Sequence, residues 1–175
     1  MPSNTENFRR HKNEVFIETG SLIGDGVQFA LEAGFPEVIS IELSDKYFEE
    51  TRKRFESNPK VKIIHGDSYK VLPDVIRGID KRITFWLDGH HSCGDTALGD
   101  YWTPLMQELD AIKEHPIKYH TIMIDDMRCW EEPNPVHGFF KDDIYKKLEE
   151  INPEYKFEFL NGHQEKDILV AYIQS

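Results

Sequence analysis

The sequence predicts an α/β domain on a mostly parallel sheet, because short β-rich runs alternate with amphipathic stretches at helical spacing. Two further observations support this. Helix candidates separate the first five strand candidates, and the last two strands follow each other across a polar turn. The strands read Val15 to Gly20, Glu37 to Leu43, Val61 to His65, Ile83 to Asp88, Thr121 to Asp125, Tyr155 to Leu160 and Ile168 to Ile173.

Each helix candidate carries start and stop signals. Asp25 precedes Val27, Ala30, Leu31 and Ala33, and Gly34 stands in the usual C-terminal capping position. Ser44 or Asp45 caps the second, where Phe48, Arg52 and Phe55 share a face and Glu50 pairs with Arg54 one turn on; Pro59 lies beyond its end. Asp67 and Ser68 offer a third cap before Val71, Leu72, Val75, Ile76 and Ile79, and Pro73 is expected to restart or kink that helix. The fourth begins at Thr103 with Pro104 in the tolerated first position, and buries Leu105, Leu109 and Ile112. The fifth spans His137 to Ile151, with Phe140, Ile144 and Leu148 at four-residue spacing.

The turn from Asn161 to Lys166 is too short for a right-handed crossover, so the last two strands pair antiparallel. Tyr155, Phe157 and Phe159 alternate with Lys156 and Glu158, as on an edge, whereas Ile168 to Ile173 is apolar throughout and suits the interior.

The 175 residues include 21 Lys plus Arg against 32 Asp plus Glu, for a net charge of −11, and 39% are hydrophobic. That describes one well-cored domain. Apolar runs stop far short of the roughly 20 residues a bilayer span needs, so no membrane partner is expected. The residues after Met1 lack the basic and then apolar pattern of a secretory signal, and the expected compartment is the cytoplasm. Two cysteines, Cys93 and Cys129, are too few for a disulfide framework or a four-thiolate zinc site. The acidic balance disfavours a nucleic-acid partner, which needs clustered Lys and Arg. A small neutral or metal-bridged substrate fits better.

Ligands of open α/β sheets sit beyond the carboxyl ends of the strands, and those ends are polar here. The first is followed by Glu18-Thr-Gly20-Ser-Leu-Ile-Gly24-Asp-Gly26, a glycine-bearing turn opening a helix. Gly20 lets the backbone turn beneath a ligand, while Ser21 and Asp25 can hydrogen-bond to one. The glycines at 20, 24 and 26 miss the G-x-G-x-x-G dinucleotide spacing, which disfavours pyrophosphate. Glu42, ending the second strand, can accept both hydroxyls of a ribose or stand exposed near a helix start. Asp67, beside Ser68 after the third, can reach an adenine amino group or cap the next helix. Together these ends point to an adenosine-bearing ligand without a firm phosphate cradle, as S-adenosylmethionine is.

The runs FIETGSLIGDGVQFAL, VISIELS, VKIIHGDSYKVL, FWLDGHHSCGDT and TIMIDD resemble class I S-adenosylmethionine-dependent methyltransferases in order and spacing, from Val15 to Ile173. The resemblance implies a Rossmann-like seven-stranded sheet in the order 3-2-1-4-5-7-6, with the seventh strand antiparallel and helices on both faces. It implies cofactor contacts at Glu18, Gly20, Ser21, Asp25, Glu42, Asp67, Ser68 and Asp88. More narrowly, Asp88-Gly89-His90-His91 and Asp125-Asp126 resemble the D-G-x-H and acidic pair of metal-dependent sugar O-methyltransferases, the macrocin and mycinamicin group. Carried over by position, Asp88, Asp125 and Asp126 are metal ligands and His91 is the base, with His90 its nearest competitor.

Electrostatics agrees: three carboxylates at neighbouring strand ends repel unless a cation lies between them, and hard oxygen ligands suit Mg²⁺, with Mn²⁺ or Ca²⁺ as alternatives. The expected reaction is methylation of a sugar or sugar-like hydroxyl, with a catechol-like phenol or a non-catalytic cofactor-binding module as alternatives. Ser92 to Tyr101, polar and glycine-bearing, is placed to form a lid. Trp86 reads as core, whereas Trp102 and Trp130 can stack on a ligand ring. The first strand begins near the N-terminus, so either an oligomeric neighbour covers the site, or the chain is a domain of a larger protein, or the acceptor is large and bound in the open.

Overall fold

The computed structural model describes residues 4–90, 97–132 and 138–174. Its elements run α1 (Thr5–Arg10), β1 (Val15–Thr19), α2 (Asp25–Ala33), β2 (Glu37–Glu42), α3 (Asp45–Phe55), β3 (Val61–His65), α4 (Ser68–Arg77) and β4 (Ile83–Leu87). Then come α5 (Leu105–Glu114), β5 (Thr121–Ile124), a 3₁₀ turn (Met127–Trp130), α6 (Lys141–Ile151), β6 (Lys156–Leu160) and β7 (Ile168–Tyr172). The strands form one sheet in the order β3-β2-β1-β4-β5-β7-β6, parallel from β3 to β5, with β7 antiparallel to both neighbours. The fold class and strand order read from the sequence are those found.

The two-residue period of the strands divides the core between the faces of the sheet. Val15 and Ile17 join Leu72, Leu109, Ile112, Ile144 and Leu148 on one side, whereas Phe16 joins Val27, Ala30, Phe35 and Trp86 on the other. β7 is buried from Ile168 to Ala171, while β6 exposes Lys156, as an interior strand and an edge strand should. Gly34 caps α2 in the left-handed region at φ 89°, its N–H on the Leu31 carbonyl.

Four local features differ from the sequence reading. α1 was not anticipated, although Asn4 caps it by accepting the Asn7 N–H at 2.9 Å. Its Phe8 is fully buried, 4.8 Å from the Phe16 ring and 5.3 Å from Trp86, so this turn seals the lower face of the core. α4 runs unbroken through Pro73, which only leaves the Tyr69 carbonyl without its intrahelical donor. Arg54 does not pair with Glu50 but reaches Asp25 at 2.8 Å and the Ile23 carbonyl at 2.7 Å. α6 starts at Lys141, because the Asp143 side chain accepts the Phe140 N–H at 3.1 Å and fixes the cap there; residues 133–137 lie outside the described set.

At the opposite end of the sheet from the site, His120 is fully buried. Its Nδ1 accepts the Ile83 N–H at 3.0 Å, and its Nε2 lies 2.9 Å from His115 Nδ1. His115 Nε2 in turn lies 3.0 Å from the carbonyls of Ile76 and Ile79. Burial, then the neighbouring His115, lowers the His120 pKa to about 3. Below pH 6.5 the unfolded chain therefore takes up a proton that the folded imidazole refuses. That contribution is full above about pH 6.5 and lost as pH falls toward 3, by up to about 1.4 kcal/mol per unit. Urea denaturation at about pH 7.5 and about pH 5 should show a smaller acid loss in His120→Asn, which keeps an acceptor for Ile83, than in the unsubstituted chain.

Candidate active site

Register places the site. Thr19 stands level with Ile41 and with Leu87, so β1, β2 and β4 release their chains side by side at one sheet edge. Gly20 follows at φ 87°, and a Cβ there would lie 2.8 Å from the Asp88 carbonyl oxygen. Only glycine lets the first loop lie against the end of β4.

Beneath that loop Glu18 is 2% exposed, accepting from Ser40 Oγ at 2.5 Å, and Ser40 Oγ lies 2.6 Å from Ser21 Oγ. Burial pushes the Glu18 carboxyl up to about 8, against the Ser40 hydrogen bond. Gly26 is required because any side chain there would meet Glu18 Oε1. Glu18 and Ser21 thus tie the loop to β2 through Ser40, Asp25 pairs with Arg54, and all three line the second cavity described below.

Glu42 accepts the Leu22 N–H on Oε2 and the Ser44 N–H on Oε1, both at 2.8 Å, which leaves each oxygen a second lone pair. Asp67 Oδ2 is 3.5 Å from the Asp100 N–H. Ser68 turns inward and donates to Glu108 Oε1 at 2.5 Å. Glu108 is 1% exposed, and burial pushes its carboxyl up to about 7 against the hydrogen bond from Ser68. Gly20, Glu42, Asp67 and Asp88 line one cavity of about 170 Å³, walled also by Tyr47 and Trp102.

A second cavity, of about 240 Å³, shares Gly20, Leu22, Asp88 and His90 with the first and continues to Asp125, Asp126 and His163. Ligand atoms of Asp88, His90 and Asp126 lie within 4.8 Å of one another, as do those of Asp125, Asp126 and Asp167. Asp126 is the shared member, held in the left-handed region at φ 57°. His90 Nε2 lies 2.9 Å from Asp126 Oδ2 and its Nδ1 3.4 Å from Asp88 Oδ1. Burial opposes a charge on this imidazole, but Asp126 and Asp88 outweigh it and raise the pKa to about 10. Arg128 pairs with Asp126 at 2.5 Å and with Asp167.

Asp125 is different. It is 3% exposed, and neither carboxyl oxygen has a hydrogen-bond partner among the described residues. Burial, then Asp88 and Asp126, push its carboxyl up to about 8. A buried, unpartnered carboxylate beside two more is a donor set that fits a hard divalent cation.

His91, the predicted base, lies outside the described residues. Three residues of the cavity region were not picked from the sequence. His163, on the β6–β7 turn, borders the second cavity and is exposed. Asp167 was readable only as an acid directly before a buried strand, and Glu108 only as a first-turn acid on an otherwise apolar helix face. Trp86 is core, as expected, but Trp130 is not a ligand platform: it is 3% exposed and stacks on Phe139 at 5.1 Å.

No protein-family model matches the sequence, and no curated protein matches it either. Solved structures do match in backbone. The O-methyltransferase TomG from Streptomyces achromogenes, involved in tomaymycin synthesis and solved in complex with SAM, aligns at 12% identity and TM-score 0.69, over 98% of this chain and 78% of that one. The O-methyltransferase from Bacillus cereus, in complex with SAH, aligns at 12% and 0.69, over 97% and 78%. SAH-bound PaMTH1 from Podospora anserina, a methyltransferase, aligns at 15% and 0.63, over 98% and 76%. What is shared at such identities is the methyltransferase fold.

Asp125→Asn should stabilise the metal-free chain by about 1–3 kcal/mol, since it removes an unpaired buried acid and gives Asp126 and Asp167 a donor. Differential scanning calorimetry in EDTA should then show a midpoint several degrees higher, at roughly 2–4 °C per kcal/mol for a domain of this size.

Proposed function

We propose that this chain is an S-adenosylmethionine-dependent O-methyltransferase, assisted by a divalent metal, that methylates a sugar or sugar-like hydroxyl. The observation that carries the reading is the sharing of Asp88 between two cavities, one bordered by Glu42 and Asp67, the other by Asp125 and Asp126. When bound, S-adenosylmethionine supplies an electrophilic methyl group, and a divalent cation supplies the Lewis acidity that makes an acceptor hydroxyl acidic near neutral pH.

The chain's own groups do the rest. The free lone pairs of Glu42 take ribose hydroxyls, and Asp67 takes the adenine amino group. Gly20 lets the backbone approach the methionine end. Asp88, Asp125 and Asp126 would hold a divalent metal, and the walls of the shared cavity would position the acceptor beside it, so that proximity is the main contribution. His91 receives the acceptor proton; His90, bridging Asp88 and Asp126, orients the acids that flank it.

A second acceptor class, a catechol-like phenol, is favoured by one feature. Leu22 and Ile23, 45% and 46% exposed, give the acid-lined cavity an apolar side on which an aromatic ring can lie.

Isothermal calorimetry should show binding of S-adenosylhomocysteine and none of NAD; preference for NAD overturns the cofactor assignment. Mg²⁺ or Mn²⁺ should raise the thermal midpoint of the chain and leave that of Asp88→Ala with Asp125→Asn unmoved. Equal midpoints with metal and with EDTA in the unsubstituted chain reject metal assistance. With an acceptor found from a panel of glycosides, nucleotide sugars and catechols, His91→Ala should lower turnover roughly 10²-fold or more.

A further inference from the structure

Ala97, Gly99, Tyr101 and Trp102, on the strap from Ala97 to Trp102, line the first cavity, and Asp100 ties the strap to the neighbouring α4. Asp100 Oδ2 accepts the Tyr69 hydroxyl at 2.6 Å and lies 2.7 Å from Lys70 Nζ, both on α4. The Tyr101 ring meets Tyr69 edge-on at 5.1 Å. Gly99 rests on Asp67: a Cβ at residue 99 would lie 2.6 Å from Asp67 Oδ2 and 3.2 Å from Leu43 Cδ2, so any side chain there would displace the Asp67 carboxylate.

Two consequences follow. In the latched position Asp67 Oδ2 faces strap backbone, so a ligand amino group that reaches this carboxylate must share it with the strap or lift it. The latch itself is solvent-exposed, Asp100 at 60% and Lys70 at 52%, so its ties are weak, sensitive to salt and readily broken. A closure of this strength suits an element that opens on every binding cycle.

We propose that Asp100 is a positioning residue for the cofactor: through Tyr69 and Lys70 it latches the 97–102 strap onto α4, and the strap gates the adenine end of the cavity through Gly99 on Asp67. This rests on the cofactor reading above. The latch limits both entry and escape of the nucleoside, and it sets rates more than equilibrium affinity.

Stopped-flow fluorescence of the full chain with S-adenosylhomocysteine tests it, with Trp102 in the cavity wall as reporter. Asp100→Ala should speed dissociation at least about 5-fold and association in the same direction, so that Kd moves less than either rate. Asp100→Asn, which keeps an acceptor for Tyr69 but loses the charge, should fall between. Raising NaCl from about 0.05 to about 0.5 M should speed dissociation in the unsubstituted chain and not in Asp100→Ala. Lys70→Met removes the same ion pair from the other side and should likewise abolish the salt response. Tight binding of S-adenosylhomocysteine with unaltered rates and salt response in Asp100→Ala and Lys70→Met overturns the latch alone. Absence of binding in the unsubstituted chain overturns the cofactor reading, and the latch with it.

Discussion

The register of β1 between β2 and β4 is the constraint on which the site depends. Val15 to Thr19 pair in step with Glu37 to Ile41 and with Ile83 to Leu87, so three strands end level and their loops open at one edge. A slip of one residue would turn Phe16 toward the Ile17 side and bring Glu18 out from under the loop, since side chains alternate faces. The core enforces the register, because Val15 and Ile17 on one face and Phe16 on the other are all fully buried. Gly20 then completes it, since the first loop lies so close to the Asp88 carbonyl that no side chain fits between them.

The acids that crowd this edge have their charge met in different ways. Glu18 and Glu108 are buried beside hydroxyls and carry raised pKa values, so near neutral pH neither is held in its charged form. Asp88 and Asp126 are bridged by His90, and Asp126 is held below the usual carboxylate range by His90 and Arg128 despite its burial. Asp125 is also raised, to about 8, but neither of its oxygens has a hydrogen-bond partner among the described residues. Buried polar groups without partners are rare in folded proteins and carry a cost that folding alone does not require. Asp125 thus leaves two buried oxygens unpartnered among the described residues, beside Asp126 and Asp167.

The sheet was legible because its signals are local and repeated. Apolar runs of strand length, capped helices and a hairpin turn too short for a crossover leave little freedom in topology. Strand-end residues were legible for the same reason: once Glu42, Asp67, Asp88 and Asp125 end strands, their common edge follows. What the sequence did not disclose depends on contacts between distant segments. Nothing local marks His163 as bordering the second cavity, or Asp167 as the partner of Arg128, because both depend on how the β6–β7 turn and the 3₁₀ turn meet. Equally, nothing local marks Ser21 and Ser68, which line the second and first cavities, as partners of Ser40 and of the buried Glu108.

Glu42 shows how one side chain can hold together the loops around two cavities. Its two oxygens already hold the backbone of two loops, at Leu22 and at Ser44. Leu22 lies in the left-handed region at φ 47°, a conformation uncommon for a residue with a branched side chain. It is kept there by Glu42 at its N–H and by Thr51, whose hydroxyl donates to its carbonyl at 2.6 Å. Local strain of this kind persists only where surrounding contacts over-determine it. The outcome is an aliphatic side chain held out between the two cavities, bordering both. Glu42 lines the first cavity and, through the Leu22 N–H, holds in place a residue that borders both.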